Sequence, residues 1–257
     1  EGISISKGTM PSFPIILSQN GETLHNHMHH QILTDGRLLV IDAGAETNSH
    51  YASDFTRTIP SGGKFTKRQA DIYTIVATAN NLAIDMARPG ITYREVHLAS
   101  AKVLAQGLIN LGLMKGSADE AVAAGAHALF MPHGLGHQLG LDVHDMEDLG
   151  ENYVGYNDQI VRATQFGLRS LRMGKELKVG HALTVEPGIY FIPALIEKWK
   201  RDNTNAEFIN FDKLTAYYDF GGIRLEDDIL ITPNGCRLLG SKRLPITVED
   251  VEKEMSK

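Results

Sequence analysis

The chain has 257 residues, 42% hydrophobic and 22% charged, with a formal net charge of −6 and a single cysteine. A basic nucleic-acid surface is therefore not the default reading; the single cysteine excludes an intramolecular disulfide and a Cys-rich zinc or iron–sulfur site, and the ordinary apolar content argues against disorder. No apolar run approaches the roughly 20 residues of a membrane helix. The length is ample for one core, since roughly 70–75% of the unfolded surface can be hidden at this size.

The chain begins at Glu1 with no visible signal peptide, and we read it as a fragment or processed product of a cytoplasmic protein. Residues Ser12–Leu17 and Arg37–Ile41 read as buried strands bounded by Asn20–Gly21, Asp35–Gly36 and Gly44, with a further strand over Tyr51–Ile59. The turn chemistry of Glu46–Ser49 makes the last two an antiparallel hairpin. Ile72, Ile75, Val76, Ala79, Leu82, Ala83 and Met86 recur at helical spacing until Pro89–Gly90. Thr92-x-x-Glu95 opens a second helix as a capping box, and Ser117-x-x-Glu120 marks a third, Ala-rich one. His127–Asp145 is Gly- and His-rich, as expected of loops around a site. Leu183–Val185 and Ile189–Ile192 are strand-like on either side of Glu186–Pro187–Gly188, and Ile223–Ile231 reads as one more strand. Lys198–Tyr218 is charged and aperiodic, so we expect a surface excursion there. With no repeat and no linker, one α+β domain is the simplest organisation.

Eleven histidines stand out, with His25, His27, His29 and His30 in one stretch and His133, His137 and His144 in another. Asp42 ends an apolar strand, where an unpaired carboxylate is costly. If the hairpin forms, Asp42 and Asp54 can converge on strands about 5 Å apart; taken singly they read equally well as a turn cap and a surface acid. In His133-Gly-Leu-Gly-His137 the glycines allow close backbone approach, and imidazole serves both as metal ligand and as acid–base group. Glu186 sits at a bend. Along the strand Arg224 and Glu226 face opposite to Ile223 and Leu225. Together, Asp42, Asp54, His137, Glu186 and Glu226 form an oxygen-rich set with one nitrogen and no sulfur, which suits Mn²⁺, Co²⁺, Zn²⁺ or Fe²⁺. Four carboxylates call for more than one divalent ion, as in two-metal hydrolytic sites.

The ordered set Ile41-Asp42-Ala43-Gly44, Ser53-Asp54-Phe55-Thr56-Arg57-Thr58, His133-Gly-Leu-Gly-His137, Val185-Glu186-Pro187-Gly188 and Ile223-Arg224-Leu225-Glu226-Asp227 resembles the Xaa-Pro aminopeptidase and prolidase branch of the pita-bread metallopeptidases. The likeness runs from about Pro11 to Pro245–Glu249. It implies a pita-bread α+β fold with pseudo-two-fold halves and two divalent metal ions, Mn²⁺ first, with Co²⁺ or Zn²⁺ as alternatives. Asp42, Asp54 and Glu226 would hold one ion; Asp54, Glu226, His137 and Glu186 the other. Glu186, His133, His144 and His25 would serve catalysis, with His133 or His144 donating to the developing oxyanion. Arg172 would bind a dipeptide's carboxylate and Arg224 would be a second active-site arginine. The implied activity is hydrolysis before proline in dipeptides or short peptides, with neither nucleic acid nor membrane as partner; an amidinohydrolase-like enzyme or a metal-free peptide-binding module on the same fold are the alternatives.

Two departures matter. Asp42 and Asp54 lie twelve positions apart, one more than the family usually has, so the turn near Asn48–His50 should absorb a residue. By the resemblance, residues 1–257 are a catalytic domain without its N-terminal helices and upstream domain. The strands Phe13–Leu17 and Leu38–Ile41 should then expose an apolar face, covered by a second copy, by the protein's own upstream part, or by Glu1–Met10 folding back. The extra histidines His27, His29 and His30 read as loop residues.

Overall fold

A computed structural model describes residues 1–257. After a short helix α1 (Gly2–Ser6), the first half of the chain forms an antiparallel sheet of β1 (Ile16–Ser18), β2 (Leu38–Ala43) and β3 (Phe55–Pro60), in the order β1-β2-β3. The expected hairpin is present, with a continuous register from Leu38↔Pro60 to Ala43↔Phe55. Both flanking strands are shorter than expected. Ser12–Ile15 only touches the sheet, through Ser12 N–H to Gly44 O at 3.2 Å, and Tyr51–Asp54 belongs to the connection. The long connection takes up its length outside the ladder. His50 turns there at φ 65°, and the chain is pinched where a Cβ on Gly44 would stand 1.7 Å from the Ser53 carbonyl oxygen. Asp42 and Asp54 therefore keep their face.

Two helices follow, α2 (Lys67–Met86) and α3 (Tyr93–Asn110). Both open with full capping boxes, Thr66 with Gln69 and Thr92 with Glu95. α2 buries Ile72, Tyr73, Val76, Ala79 and Ala83 at helical spacing, and α3 buries Val96, Ala101, Leu104 and Leu108. The third helix, α4 (Ala118–Ala123), is short, and the Ser117 side chain makes no capping hydrogen bond. A one-turn helix α5 (Glu151–Val154) precedes the second sheet region.

There β4 (Ala182–Val185) pairs with β7 (Asp227–Thr232), which pairs with β8 (Gly235–Leu238); β5 (Gly188–Tyr190) pairs with β6 (Gly222–Arg224). The single strand expected over Ile223–Ile231 is in fact broken at Leu225–Glu226. β6 and β7 go to different partners, and the break releases Glu226 toward the interior. Lys198–Tyr218 also differs from expectation. It joins α6 (Pro193–Arg201) to α7 (Phe211–Leu214) and buries Trp199, Ile209 and Leu214 in the main core. Its apolar residues are divided between two short helices and the turn that joins them, so they show no single period in the sequence. The C-terminal helix α8 (Val248–Met255) packs Val251 on the same core.

The two halves join along β3. Thr56 O accepts from Glu226 N–H at 3.0 Å, and Thr58 Oγ1 donates to Arg224 O at 2.9 Å. The buried Arg57 guanidinium donates to Glu226 O (2.6 Å), to Asp227 Oδ1 (2.6 Å) and to Pro245 O (2.8 Å).

The N-terminal sheet is not bare. Leu38, Leu39 and Val40 are all buried, Leu17 and Ile41 half-buried. The segment after Gly21–Thr23 is tied to the two ends of edge strand β1 by Gln19 Nε2 to Ile32 O (2.8 Å), Thr34 N–H to Gln19 Oε1 (2.6 Å) and His29 Nε2 to Ile15 O (2.9 Å). Leu38 packs in the main core, while Leu17 and Leu39 share a small cavity with Met28, His29 and Leu33 of the histidine-rich loop; in the first fifty residues the exposed large apolar side chains are Ile3, Ile5, Met10, Met28, Ile32 and Leu33. No helix is long and apolar enough to cross a membrane.

Candidate metal centre and substrate cleft

All ten residues singled out in the sequence line one cleft of about 710 Å³ between the sheets: Asp42, Asp54, His137, Glu186, Glu226, His25, His133, His144, Arg172 and Arg224. Asp42 comes from β2 and Asp54 from the residue before β3. Glu186 follows β4, Glu226 sits at the β6–β7 break, and His137 lies in the loop that pairs with β4 through Gln138↔Leu183. That loop needs its glycine, because a Cβ on Gly136 would meet the Thr184 carbonyl oxygen at 2.2 Å.

Ligand atoms of Asp54, His137 and Glu226 lie within 4.8 Å of one another, all on buried residues. His137 Nε2 is 3.4 Å from Asp54 Oδ2 and 3.6 Å from Glu186 Oε1. Its Nδ1 stands 3.0 Å from Gln138 O. A carbonyl can only accept, so Nδ1 carries a proton, and Nε2, which faces the carboxylates, is the nitrogen left for a metal ion. Asp42 Oδ1, Asp54 Oδ1 and Glu226 Oε1 are buried with no partner. Burial and the Asp42 charge push the Asp54 carboxyl well above its usual range. Burial, Asp54 and Glu186 do the same to Glu226. In Glu186 burial outweighs the pull of His137 and Arg224 and raises its carboxyl to about 7. Converging acids, orphaned oxygens and an imidazole in ligand tautomer fit divalent cations.

A hydrogen-bonded chain braces the set. Arg224 Nη2 donates to Asp42 Oδ2 (2.6 Å), Nη1 to Tyr190 Oη (3.0 Å) and Nε to Thr56 Oγ1 (3.2 Å), while Thr56 Oγ1 donates to Glu226 Oε2 (2.7 Å). Asp228 Oδ2 accepts the Asp54 N–H at 3.0 Å. Arg224 is thus locked among side chains. Arg172 is likewise engaged, its Nη1 donating to Glu147 Oε2 (2.6 Å) and Glu151 Oε1 (2.7 Å).

The histidines differ among themselves. His133 Nδ1 donates to Gly134 O (2.7 Å), and Nε2 then accepts from Tyr190 Oη (3.0 Å), so both nitrogens are used within the protein. His144 has one polar neighbour, Glu147 Oε2, 3.4 Å from Nδ1, and its ring stands 4.2 Å from that of His137. Burial lowers the pKa of His133 and of His144 to about 3, so both are neutral. His25 is exposed at the mouth; His27 also lines the cleft, and His29 and His30 are exposed loop residues. Sequence reasoning missed Thr56, Tyr190, Asp228, Glu147 and Glu151. The Glu226-Asp227-Asp228 run carried a signal for Asp228; the others depend on contacts more than twenty residues away in sequence.

The fold is the pita-bread α+β fold, and residues 2–233 match the model of metallopeptidase family M24. The chain belongs to that family. It is 41% identical over 236 residues to a protein named probable Xaa-Pro aminopeptidase pepP from Botryotinia fuckeliana, covering 91% of this chain and 48% of that protein. It is 38% identical over 224 residues to the human Xaa-Pro dipeptidase, covering 87% and 43%. Among solved structures, Pseudomonas aeruginosa aminopeptidase PepP superposes with a TM-score of 0.75 at 35% identity, covering 98% of this chain and 50% of that one. Zinc-substituted Escherichia coli aminopeptidase P in complex with product gives 0.73 at 34%, covering 96% and 48%. The chain thus spans about half the length of these relatives.

Proposed function

We propose that this chain is the catalytic part of a metal-dependent peptidase that hydrolyses the bond before proline in dipeptides or short peptides. The observation that carries the reading is the convergence of Asp54, His137 and Glu226, within 4.8 Å, beside Asp42 and Glu186 in one cleft. Relatives bearing both Xaa-Pro aminopeptidase and Xaa-Pro dipeptidase names support it.

Asp42, Asp54 and Glu226 would hold one divalent ion, and Asp54, Glu226, His137 and Glu186 a second, with Mn²⁺ as the first candidate. Bound there, such ions supply the charge that polarises a scissile carbonyl and ionises water at neutral pH. Arg224 keeps Asp42 oriented, and Thr56 keeps Glu226 oriented, so neither carboxylate has to reorganise when substrate arrives. Glu186 would pass a proton to the departing prolyl nitrogen, a poor leaving group until protonated. His133 spends its one proton on Gly134 O, so an oxyanion donor from this pair would be His144 with its proton on Nε2, the nitrogen turned away from Glu147.

The test is hydrolysis of matched Xaa-Pro and Xaa-Ala peptides after loading with Mn²⁺, together with metal titration of the chain and of Asp54→Asn. Selective cleavage before proline, abolished by chelator, is expected, with at least tenfold weaker metal binding in the variant. Equal rates on both peptides, or unchanged metal binding by D54N, would overturn the reading.

A further inference from the structure

Four arginines line the cleft: Arg162, Arg169, Arg172 and Arg224. Three have carboxylate partners. Arg224 is held by Asp42 at 2.6 Å, Arg172 by Glu147 and Glu151, and Arg162 by Glu151 as well. Arg169 has none within 4.0 Å. Its guanidinium lies 5.6 Å from the centre of the Phe166 ring, which is itself set edge-on to Trp199 at 6.0 Å. An aromatic face steadies a cation without neutralising it. The backbone around it is ordered: Arg169 N–H donates to Gln165 O and Arg169 O accepts from Arg162 Nε, both at 2.8 Å. The turn abuts the catalytic loop, since a Cβ on Gly134 would meet Ser170 O at 2.9 Å and Leu171 Cα at 2.6 Å. Arg172 is half-buried, whereas Arg169, three residues earlier, is exposed toward the cleft's rim.

A positioned cation without a counter-charge, at the rim of a peptide cleft, is an anion-recognition point. We propose that Arg169 is a specificity residue that takes the terminal carboxylate of a peptide extending one residue beyond the proline. The assignment rests on the peptidase reading above for the identity of the ligand. It differs from the sequence expectation for Arg172, whose charge two glutamates already offset.

The experiment uses the products of tripeptide cleavage, so that binding is read without turnover. Pro-Leu and Pro-Leu-amide are titrated calorimetrically into the Mn²⁺-loaded 257-residue chain and into Arg169→Gln and Arg169→Lys. In the unmodified chain the acid should bind about tenfold tighter than the amide, equivalent to about 1.4 kcal/mol, and the preference should shrink as salt rises. R169Q should bring the two within about twofold, and R169K should restore part of the gap. Equal affinities in the unmodified chain, a preference that survives in R169Q, or no binding of either product would overturn the assignment. Cleavage of Ala-Pro-Leu is measured in parallel. Failure to cleave with the acid preference intact would sink the peptidase reading alone; cleavage without the preference would sink the assignment of Arg169 alone.

Discussion

Arg57 offers the sharpest test of how the halves are joined. Its buried guanidinium donates to Asp227 Oδ1 and Glu226 O at 2.6 Å, to Pro245 O at 2.8 Å, to Thr56 O at 2.9 Å and to Leu244 O at 3.3 Å. Replacing it by Ala removes one charge from a buried ion pair and leaves several carbonyl oxygens without a donor. Asp227 keeps Arg243, 2.8 Å away, so its charge is not wholly abandoned. Breaking a buried pair costs about 3–5 kcal/mol, and at this chain length each kcal/mol lowers Tm by roughly 2–4 °C. R57A should therefore melt about 6–20 °C lower by far-ultraviolet circular dichroism. R57K should recover only part of the loss, because an ammonium cannot reproduce the guanidinium fork. If R57A melts within about 2 °C of the parent, the junction between β3 and the Glu226 segment is held by something else.

Two further predictions concern buried polar groups. His97 and His127 are fully buried, 6.1 Å apart, with all four ring nitrogens unpartnered, and burial lowers their pKa values to about 3 and about 4. The unfolded chain takes up protons first, near the ordinary 6.5, so their neutrality stabilises the fold above that pH and the contribution is lost as pH falls toward 3. Each should cost about 2 kcal/mol at pH 5; a denaturation midpoint that does not fall between pH 7.5 and 5, or that falls as steeply in H97N/H127N, would contradict this. Asp228→Leu should weaken Mn²⁺ binding roughly 10–100-fold by freeing the Asp54 backbone. Asp228→Asn, which still accepts that hydrogen bond, should stay within about threefold of the parent. Equal loss in both variants, measured by competition with a chelating dye, would rule out the acceptor role.

What could be read from residues alone was local or ligand-like. The helices at Lys67–Met86 and Tyr93–Asn110 are announced by period and cap, and the Asp42–Asp54 hairpin by alternation and turn residues. That Asp42, Asp54, His137, Glu186 and Glu226 share one cleft was legible because order and chemistry constrain them jointly. What could not be read depends on tertiary choice. The acidic run Glu226-Asp227-Asp228 is the one local hint that the strand breaks at Leu225–Glu226; that β6 and β7 serve different sheet partners is a tertiary choice. Trp199, Ile209 and Leu214 fall on two short helices and the turn between them, so no single period declares a buried face. The engagement of Arg172 by Glu147 and Glu151 likewise required seeing which acids the loop before β4 brings near.

The junction along β3 also governs when the cleft can exist. Thr56 must wait 170 residues for Glu226, and Arg57 waits 188 for Pro245. Closing such long loops adds little equilibrium cost, because the entropy grows only logarithmically with length, but it is slow. At translation rates of about 5–20 residues per second, the first-half carboxylates spend roughly 10–35 s without their partners. During that interval the α2–α3 pair, whose contacts are near in sequence, can already be formed. The cleft is therefore a late product of folding, and a nascent chain halted before Glu226 would carry Asp42 and Asp54 but no site.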